Sequence, residues 1–138
     1  KLLMDRTNNP NSSIEERVNR QKKIFKEIGY PGIDLNTDEF YKNILTSAER
    51  GGSDDTGFGR QLTAILGSKN RLDKVRSIEA PTLIIHGKND PLIKVKNAYK
   101  SSKLIKNSNL IIISDMRHLI EPPVFDQFKV DLLAHLKN

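Results

Sequence analysis

The sequence predicts an α/β fold in which a helical first half precedes a strand–helix–strand–helix second half. Apolar residues up to about residue 78 recur at helical spacing, whereas residues 82–85 and 110–113 form short continuous apolar runs typical of buried strands. The segment between these runs can form a crossover helix, and such a unit is parallel and right-handed almost by rule. We therefore predict a helical segment over residues 1–78 and an α/β core segment over residues 79–138.

The first predicted helix begins after the polar residues 11–13 and ends at the glycine- and proline-containing residues 29–32. Ser13 and Glu16 have the spacing of a capping box, in which each side chain bonds to the backbone amide of the other residue. Its apolar residues share one stripe: Ile14, Val18, Phe25 and Ile28.

Two further helices are predicted before residue 79. Thr37 or Asp38 caps the second helix, and Gly51-Gly52 ends it. The third helix follows the polar residues 53–56 and ends at Gly67. The apolar residues on one face of each helix are Phe40, Ile44, Leu45 and Ala48, and then Phe58, Leu62, Ile65 and Leu66.

The second half begins with a strand that Pro81 introduces and Gly87 closes. Residues 89–91, Asn-Asp-Pro, make a turn, and a helix follows from residue 94 to about residue 104. After the second strand and a loop over residues 114–122, the last helix should pack on the sheet through one apolar face. That face carries Phe125, Phe128, Leu132 and Leu136.

Composition excludes several classes of protein. The 138 residues are 36% hydrophobic and 29% charged, which suits one compact domain or part of one rather than a disordered chain. Without cysteine, neither a disulfide nor a thiolate metal site can form, and a cytoplasmic location is expected. The apolar runs are too short for a membrane span or a signal peptide. Because the chain begins at Lys1 rather than Met, we expect a processed product or a shortened form.

The net charge of +6 raises the question of nucleic-acid binding. The basic residues lie on predicted helix surfaces between apolar core positions, and no stacking aromatic residues or nucleic-acid motifs accompany them. We therefore interpret them as solvated helix faces and expect neither a nucleic-acid partner nor a membrane partner. They are Arg20, Lys22, Lys23, Lys26, Lys94, Lys96, Lys100, Lys103 and Lys106.

Asp90 and His118 are the candidate catalytic residues. Each follows one of the two predicted strands, and the carboxyl ends of parallel strands lie at the same edge of a sheet. Their side chains can therefore meet, and the carboxylate can orient the imidazole as in a catalytic triad. Taken singly, Asp90 is typical of a turn-capping residue and His118 of polar surface. Their order along consecutive strands favours the triad interpretation.

The sequence PTLIIHGKNDPLI at residues 81–93 resembles the strand and acid-bearing turn of α/β-fold hydrolases. Residues 59–78 resemble small esterases of the aclacinomycin-methylesterase type, and residues 110–118 resemble the last strand and histidine loop of this family. The resemblance implies a C-terminal portion of an α/β-hydrolase fold, with residues 1–78 as a helical lid or cap. It implies hydrolysis of a small-molecule ester or related acyl substrate, with Asp90 as acid, His118 as base, and neither a metal nor an organic cofactor.

The sequence departs from the family pattern in three places. Asp115 and Arg117 stand where glycines normally flank the methionine, and residues 119–123 differ from the usual sequence after the histidine. No Gly-x-Ser-x-Gly occurs in the 138 residues, and neither Ser53 nor Ser68 follows a buried strand as a nucleophile must. We therefore expect this chain to be inactive alone.

Two alternatives remain open from the sequence. The chain could be a non-catalytic interaction or assembly module derived from a hydrolase. The strand from Thr82 to Ile85 has an unpaired edge, which we expect to be covered either by the rest of a sheet or by self-association into a homo-oligomer. Alternatively, His86, His118 and Asp90 could bind a metal. A structural role for His86 and a surface position for His135 are the simpler interpretations.

Overall fold

The computed structural model describes residues 12–50, 55–68 and 70–137, which include six helices and two strands. The side chains of residues 48 and 55–58 are outside this description, as are the predicted helix end at Gly51-Gly52 and residues 53–54. In chain order the elements are α1 Ile14–Ile28, α2 Asp38–Glu49, α3 Asp55–Leu66, α4 Leu72–Arg76, β1 Thr82–Gly87, α5 Lys96–Leu104, β2 Ser108–Ile113 and α6 Pro122–His135. The prediction of a mixed α/β chain with helices first is confirmed.

Side-chain caps begin the first two helices as the sequence indicates. Ser13 N donates to Glu16 Oε2 at 2.8 Å, and Glu16 N donates to Ser13 Oγ at 3.2 Å, so the capping box is formed. At α2, Phe40 N donates to Thr37 Oγ1 at 3.1 Å. Thr37 is therefore the capping residue, and Asp38 is the first residue of the helix.

The two strands form a parallel pair with α5 as the crossover helix. The register runs from Thr82 opposite Ser108 to Gly87 opposite Ile113. Each strand is two residues longer than its apolar run, because the ladder continues to Gly87 in β1 and begins at Ser108 in β2. The interpretation of β1 as a strand buried on both faces is wrong here: residues 82–86 are only partly buried, since the described sheet has two strands.

The described residues divide into two compact units. The first comprises the described residues within Lys1–Phe25 and Asp34–Lys69 and buries Val18, Leu35, Phe40 and Ile44. The second comprises those within Lys26–Ile33 and Asn70–Asn138. The division at residue 79 into a helical lid and a core segment stays a prediction.

The core of the second unit lies where α6 packs against β2. Its buried residues are Ile113, Met116, Val124 and Phe128, and its partly buried neighbours are Tyr30, Ile85, Ile111 and Leu132. This confirms the prediction that the last helix packs on the sheet. Of its predicted apolar face, Phe128 and Leu132 lie in this core, whereas Phe125 and Leu136 are exposed and Val124 is buried instead. Within the described ranges, no helix is both long enough and apolar enough to cross a bilayer.

Candidate active site

Asp90 lies in the turn after β1 and is buried, with 8% of its surface exposed. Its Oδ1 accepts hydrogen bonds from Leu92 N at 2.8 Å and Ile93 N at 2.9 Å. The interpretation of Asp90 as a turn-capping residue is therefore correct, but these bonds occupy only one of its two oxygens. Because Oδ2 is left for another donor, capping and orienting a histidine are compatible roles for the same carboxylate.

His118 lies in the loop after β2, and its Nδ1 is 2.9 Å from Asp90 Oδ2. Because an ionised carboxylate only accepts hydrogen bonds, Nδ1 carries the proton in this pair. A neutral imidazole in this tautomer has its lone pair on Nε2. The His118 side chain is 32% exposed, so solvent or a ligand can reach the ring. The structure thus brings together the two residues that the sequence placed at one sheet edge, in the arrangement that orients a general base.

The environment of Asp90 favours its ionised form. Burial by itself raises the pKa of the carboxyl, but hydrogen bonds from Ile93 N, the His118 side chain and Leu92 N outweigh burial and lower that pKa below its ordinary value. Asp90 is therefore an anion at neutral pH. An anion in this position also stabilises an imidazolium when His118 takes up a proton.

The lowered pKa of Asp90 predicts a loss of stability in acid. A carboxyl whose folded-state pKa is depressed stabilises the fold at pH values above its unfolded pKa, about 3.9. That stabilisation is lost as the pH falls through the lower folded-state pKa. We expect urea unfolding to show that Asp90→Asn has a weaker dependence of stability on pH below about 4 than the wild type.

Asp126→Asn is the matched control for this measurement. Asp126 is an exposed carboxylate that pairs with Lys129 at 2.8 Å on the surface of α6. Exposed pairs of this kind contribute about 0–1 kcal/mol. A pH dependence in Asp90→Asn identical to that in Asp126→Asn and the wild type would contradict the stabilising role of the Asp90 anion.

His86 is the second imidazole near Asp90. Its Nδ1 lies 2.8 Å from the Gly87 carbonyl oxygen and its Nε2 lies 3.9 Å from Asp90 Oδ2, beyond hydrogen-bonding distance. The side chain is mostly buried, at 14% exposed, as expected for a structural residue at the end of a strand. In the part of the chain that the structure describes, no group of three or more histidine, aspartate or glutamate side chains is arranged to hold a metal ion.

Gly87 allows the two loops to approach each other closely. A Cβ atom at this position would overlap the carbonyl oxygens of Met116 and Arg117 and would lie 2.8 Å from the Met116 carbonyl carbon. Lys88 N donates to Ile113 O at 2.9 Å, which joins the start of the acid turn to the end of β2. Sequence reasoning assigned Gly87 only the role of closing a strand. The one sequence signal for this close approach was the glycine itself, at the carboxyl end of the strand that leads to Asp90.

Sequence reasoning missed the contribution of residues 26–33 to this site. His118 N and Leu119 N both donate to the Ile28 carbonyl oxygen, at 2.8 and 3.2 Å. Tyr30, in the same segment, packs against the core that includes Met116 of this loop. No local pattern in the sequence connects the end of the first helix with a loop 90 residues later, so this contact had no sequence signal.

A surface cavity of about 520 Å³ opens beside the turn that holds Asp90. Its lining includes Lys88, Lys94 and Lys96, none of which forms an ion pair within the described residues. Asp90 also contributes to the lining, but its carboxylate is already engaged by three donors. Pro91 and Val95 also line the cavity, which therefore combines apolar surface with basic side chains.

Comparison with known proteins shows a partial similarity. A non-heme haloperoxidase from Rhodococcus erythropolis is 30% identical over 67 residues, which cover 48% of this chain and 24% of the relative. The match thus spans about a quarter of the length of that protein. No family model matches the chain.

Proposed function

We propose that the chain supplies the acid and base of an α/β hydrolase that acts on ester or related acyl substrates. The observation that carries the proposal is the 2.9 Å contact between His118 Nδ1 and Asp90 Oδ2 at the carboxyl edge of a parallel strand pair. The partial similarity to a haloperoxidase and the resemblance of residues 81–93 to hydrolases support the same family origin.

In the proposed reaction His118 Nε2 accepts the proton of a serine hydroxyl as its oxygen attacks the acyl carbon. Asp90 stabilises the resulting imidazolium, which then gives the proton to the leaving alkoxide as the ester bond breaks. Water repeats the sequence to release the acid and regenerate the serine. The 138 residues contain no Gly-x-Ser-x-Gly, so we propose that the nucleophile and the oxyanion-binding amides come from additional polypeptide.

The free edge of β1 favours a second candidate function, that of an assembly module. Within the described sheet β1 pairs only with β2, and Leu83, Ile84 and Ile85 are only partly buried. Two-stranded sheets are marginal alone, and an unpaired edge invites another strand. Under the first function the edge is covered by the remaining strands of the hydrolase. Under the second it pairs with another copy of the chain.

The decisive experiment compares this chain with the longer product of the same reading frame, if coding sequence continues upstream of Lys1. We expect no hydrolysis of p-nitrophenyl acetate by the 138-residue chain above the buffer rate. The longer product is expected to turn the ester over, and His118→Ala is expected to lower its kcat about 10⁴-fold or more. His135→Ala, which changes a histidine in the last turn of α6, is the control and should retain activity.

Three results would contradict parts of the proposal. Turnover by the 138-residue chain that His118→Ala abolishes would refute the expected inactivity. An upstream stop codon or unrelated sequence, together with a homodimer in light scattering, would favour the assembly module. A longer product that is fully active after His118→Ala would refute the role of His118 as base.

A further inference from the structure

Arg117 precedes the candidate base in the chain, yet its guanidinium bonds to a helix far away in sequence. Its Nη1 donates to the carbonyl oxygens of Lys26, at 2.5 Å, and Glu27, at 3.2 Å. Both carbonyls belong to the last turn of α1, where backbone oxygens have no intrahelical donor and carry the partial negative charge of the helix dipole. Arg117 is therefore a charged cap for α1 that is supplied by the histidine loop.

The loop backbone continues the same pattern at the next carbonyl. His118 N and Leu119 N donate to the Ile28 oxygen at 2.8 and 3.2 Å. Three consecutive loop residues thus satisfy three consecutive carbonyls at the end of the helix. Because Lys26–Ile33 and the loop belong to one compact unit, these bonds lie within a single packed body.

A third attachment follows the loop, where α6 begins. Tyr30 N donates to Glu121 Oε1 at 3.0 Å, and Glu121 is buried, with 6% of its surface exposed. Arg117, before His118, thus binds the end of α1, and Glu121, after His118, binds the residue Tyr30 that follows the helix. The close approach of Gly87 to the backbone of Met116 and Arg117 limits movement of the loop toward β1.

We propose that Arg117 is a positioning residue for His118, acting through the last-turn carbonyls of α1. This inference rests on the proposed role of His118 as base. Asp90 orients the imidazole ring of His118 through Nδ1, and the Ile28 carbonyl accepts a hydrogen bond from the His118 backbone amide. The bond to Ile28 fixes the loop only if the end of α1 itself stays in place. The hydrogen bonds from the charged Arg117 side chain keep the end of α1 in place. This role explains why residue 117 is an arginine, whereas the hydrolase resemblance leads one to expect a glycine.

The test measures amide hydrogen exchange by NMR in the 138-residue chain. In Arg117→Ala, the His118 and Leu119 amides are expected to exchange about tenfold faster than in the wild type, since a hydrogen bond to a charged group is lost. Amides in the middle of β1 serve as the internal reference and should change much less. Arg117→Lys retains a cationic donor and should restore most of the protection. Arg76→Ala, which removes an exposed arginine paired with Asp73, is the matched control.

A second readout is the proton signal of His118 Nδ1–H, which should broaden in Arg117→Ala and persist in Arg76→Ala. Equal acceleration of the loop and β1 amides, or rates equal to those of Arg76→Ala, would overturn the role of Arg117. If Arg117→Ala does not fold, Arg117→Gln takes its place. Because Gln lacks the charge, the His118 and Leu119 amides are expected to exchange about threefold faster than in the wild type, with the β1 amides little changed. A wild-type chain without a bonded Nδ1–H signal would contradict the Asp90–His118 pair, while the amide rates would still decide the role of Arg117.

Discussion

Replacing Asp90 with asparagine is expected to lower kcat/KM of the proposed complete hydrolase about 10⁴-fold while leaving the fold intact. The carbonyl oxygen of the introduced amide side chain can still accept from Leu92 N and Ile93 N, so the turn keeps its bonds. The amide NH₂ group, however, donates toward His118 Nδ1, which forces the imidazole proton onto Nε2. In that tautomer Nε2 cannot accept a proton from a nucleophile.

The effect can be read in two ways that separate chemistry from stability. Ester hydrolysis by the longer product gives kcat/KM, and ¹⁵N NMR of the 138-residue chain gives the tautomer of His118. Asp115→Asn is the matched control, because Asp115 is a carboxylate in the same loop that accepts from Gln127, at 3.0 and 3.1 Å, rather than from the histidine. An Asp90→Asn enzyme with activity within about tenfold of Asp115→Asn would show that Asp90 does not orient the base.

Replacing Gly87 with valine is expected to lower the free energy of unfolding by about 3 kcal/mol or more. The added Cβ alone overlaps backbone atoms of Met116 and Arg117, and backbone cannot move aside as a flexible side chain can. Relief requires the strand end and the histidine loop to separate, which pulls His118 away from Asp90. We therefore expect the Nδ1–H signal of His118 to be lost even where the variant remains folded.

Urea unfolding of the 138-residue chain measures this prediction, and Gly59→Ala provides the opposite control. Gly59 lies inside α3, and an added Cβ there has no neighbouring atom within 4 Å. Glycine inside a helix costs about 0.5–1 kcal/mol relative to alanine, so this variant should be more stable than the wild type. Gly87→Val with wild-type stability would show that the loop can yield at this point.

The local elements of the fold were predictable because each depends on residues close together in the chain. The capping box of Ser13 and Glu16, the cap at Thr37 and the two apolar strand runs all formed as predicted. The meeting of Asp90 and His118 was also predictable, since a parallel strand pair places the following loops at one edge. The burial of β1 was overestimated, because a continuous apolar run does not indicate how many strands flank it.

The sequence by itself determined α1, α2, α3, α5 and α6, the parallel strand pair and the two side chains that share its carboxyl edge, because short-range periodicity and strand topology are sufficient for these features. The five-residue helix α4 was not predicted, since it is too short to show a helical period. Only the tertiary structure decided how His118 is held. The carbonyls of residues 26–28 and the close approach at Gly87 depend on where chain segments about 30 to 90 residues apart come to rest. Local patterns carry no information about such contacts, since a backbone carbonyl is the same group whatever residue bears it.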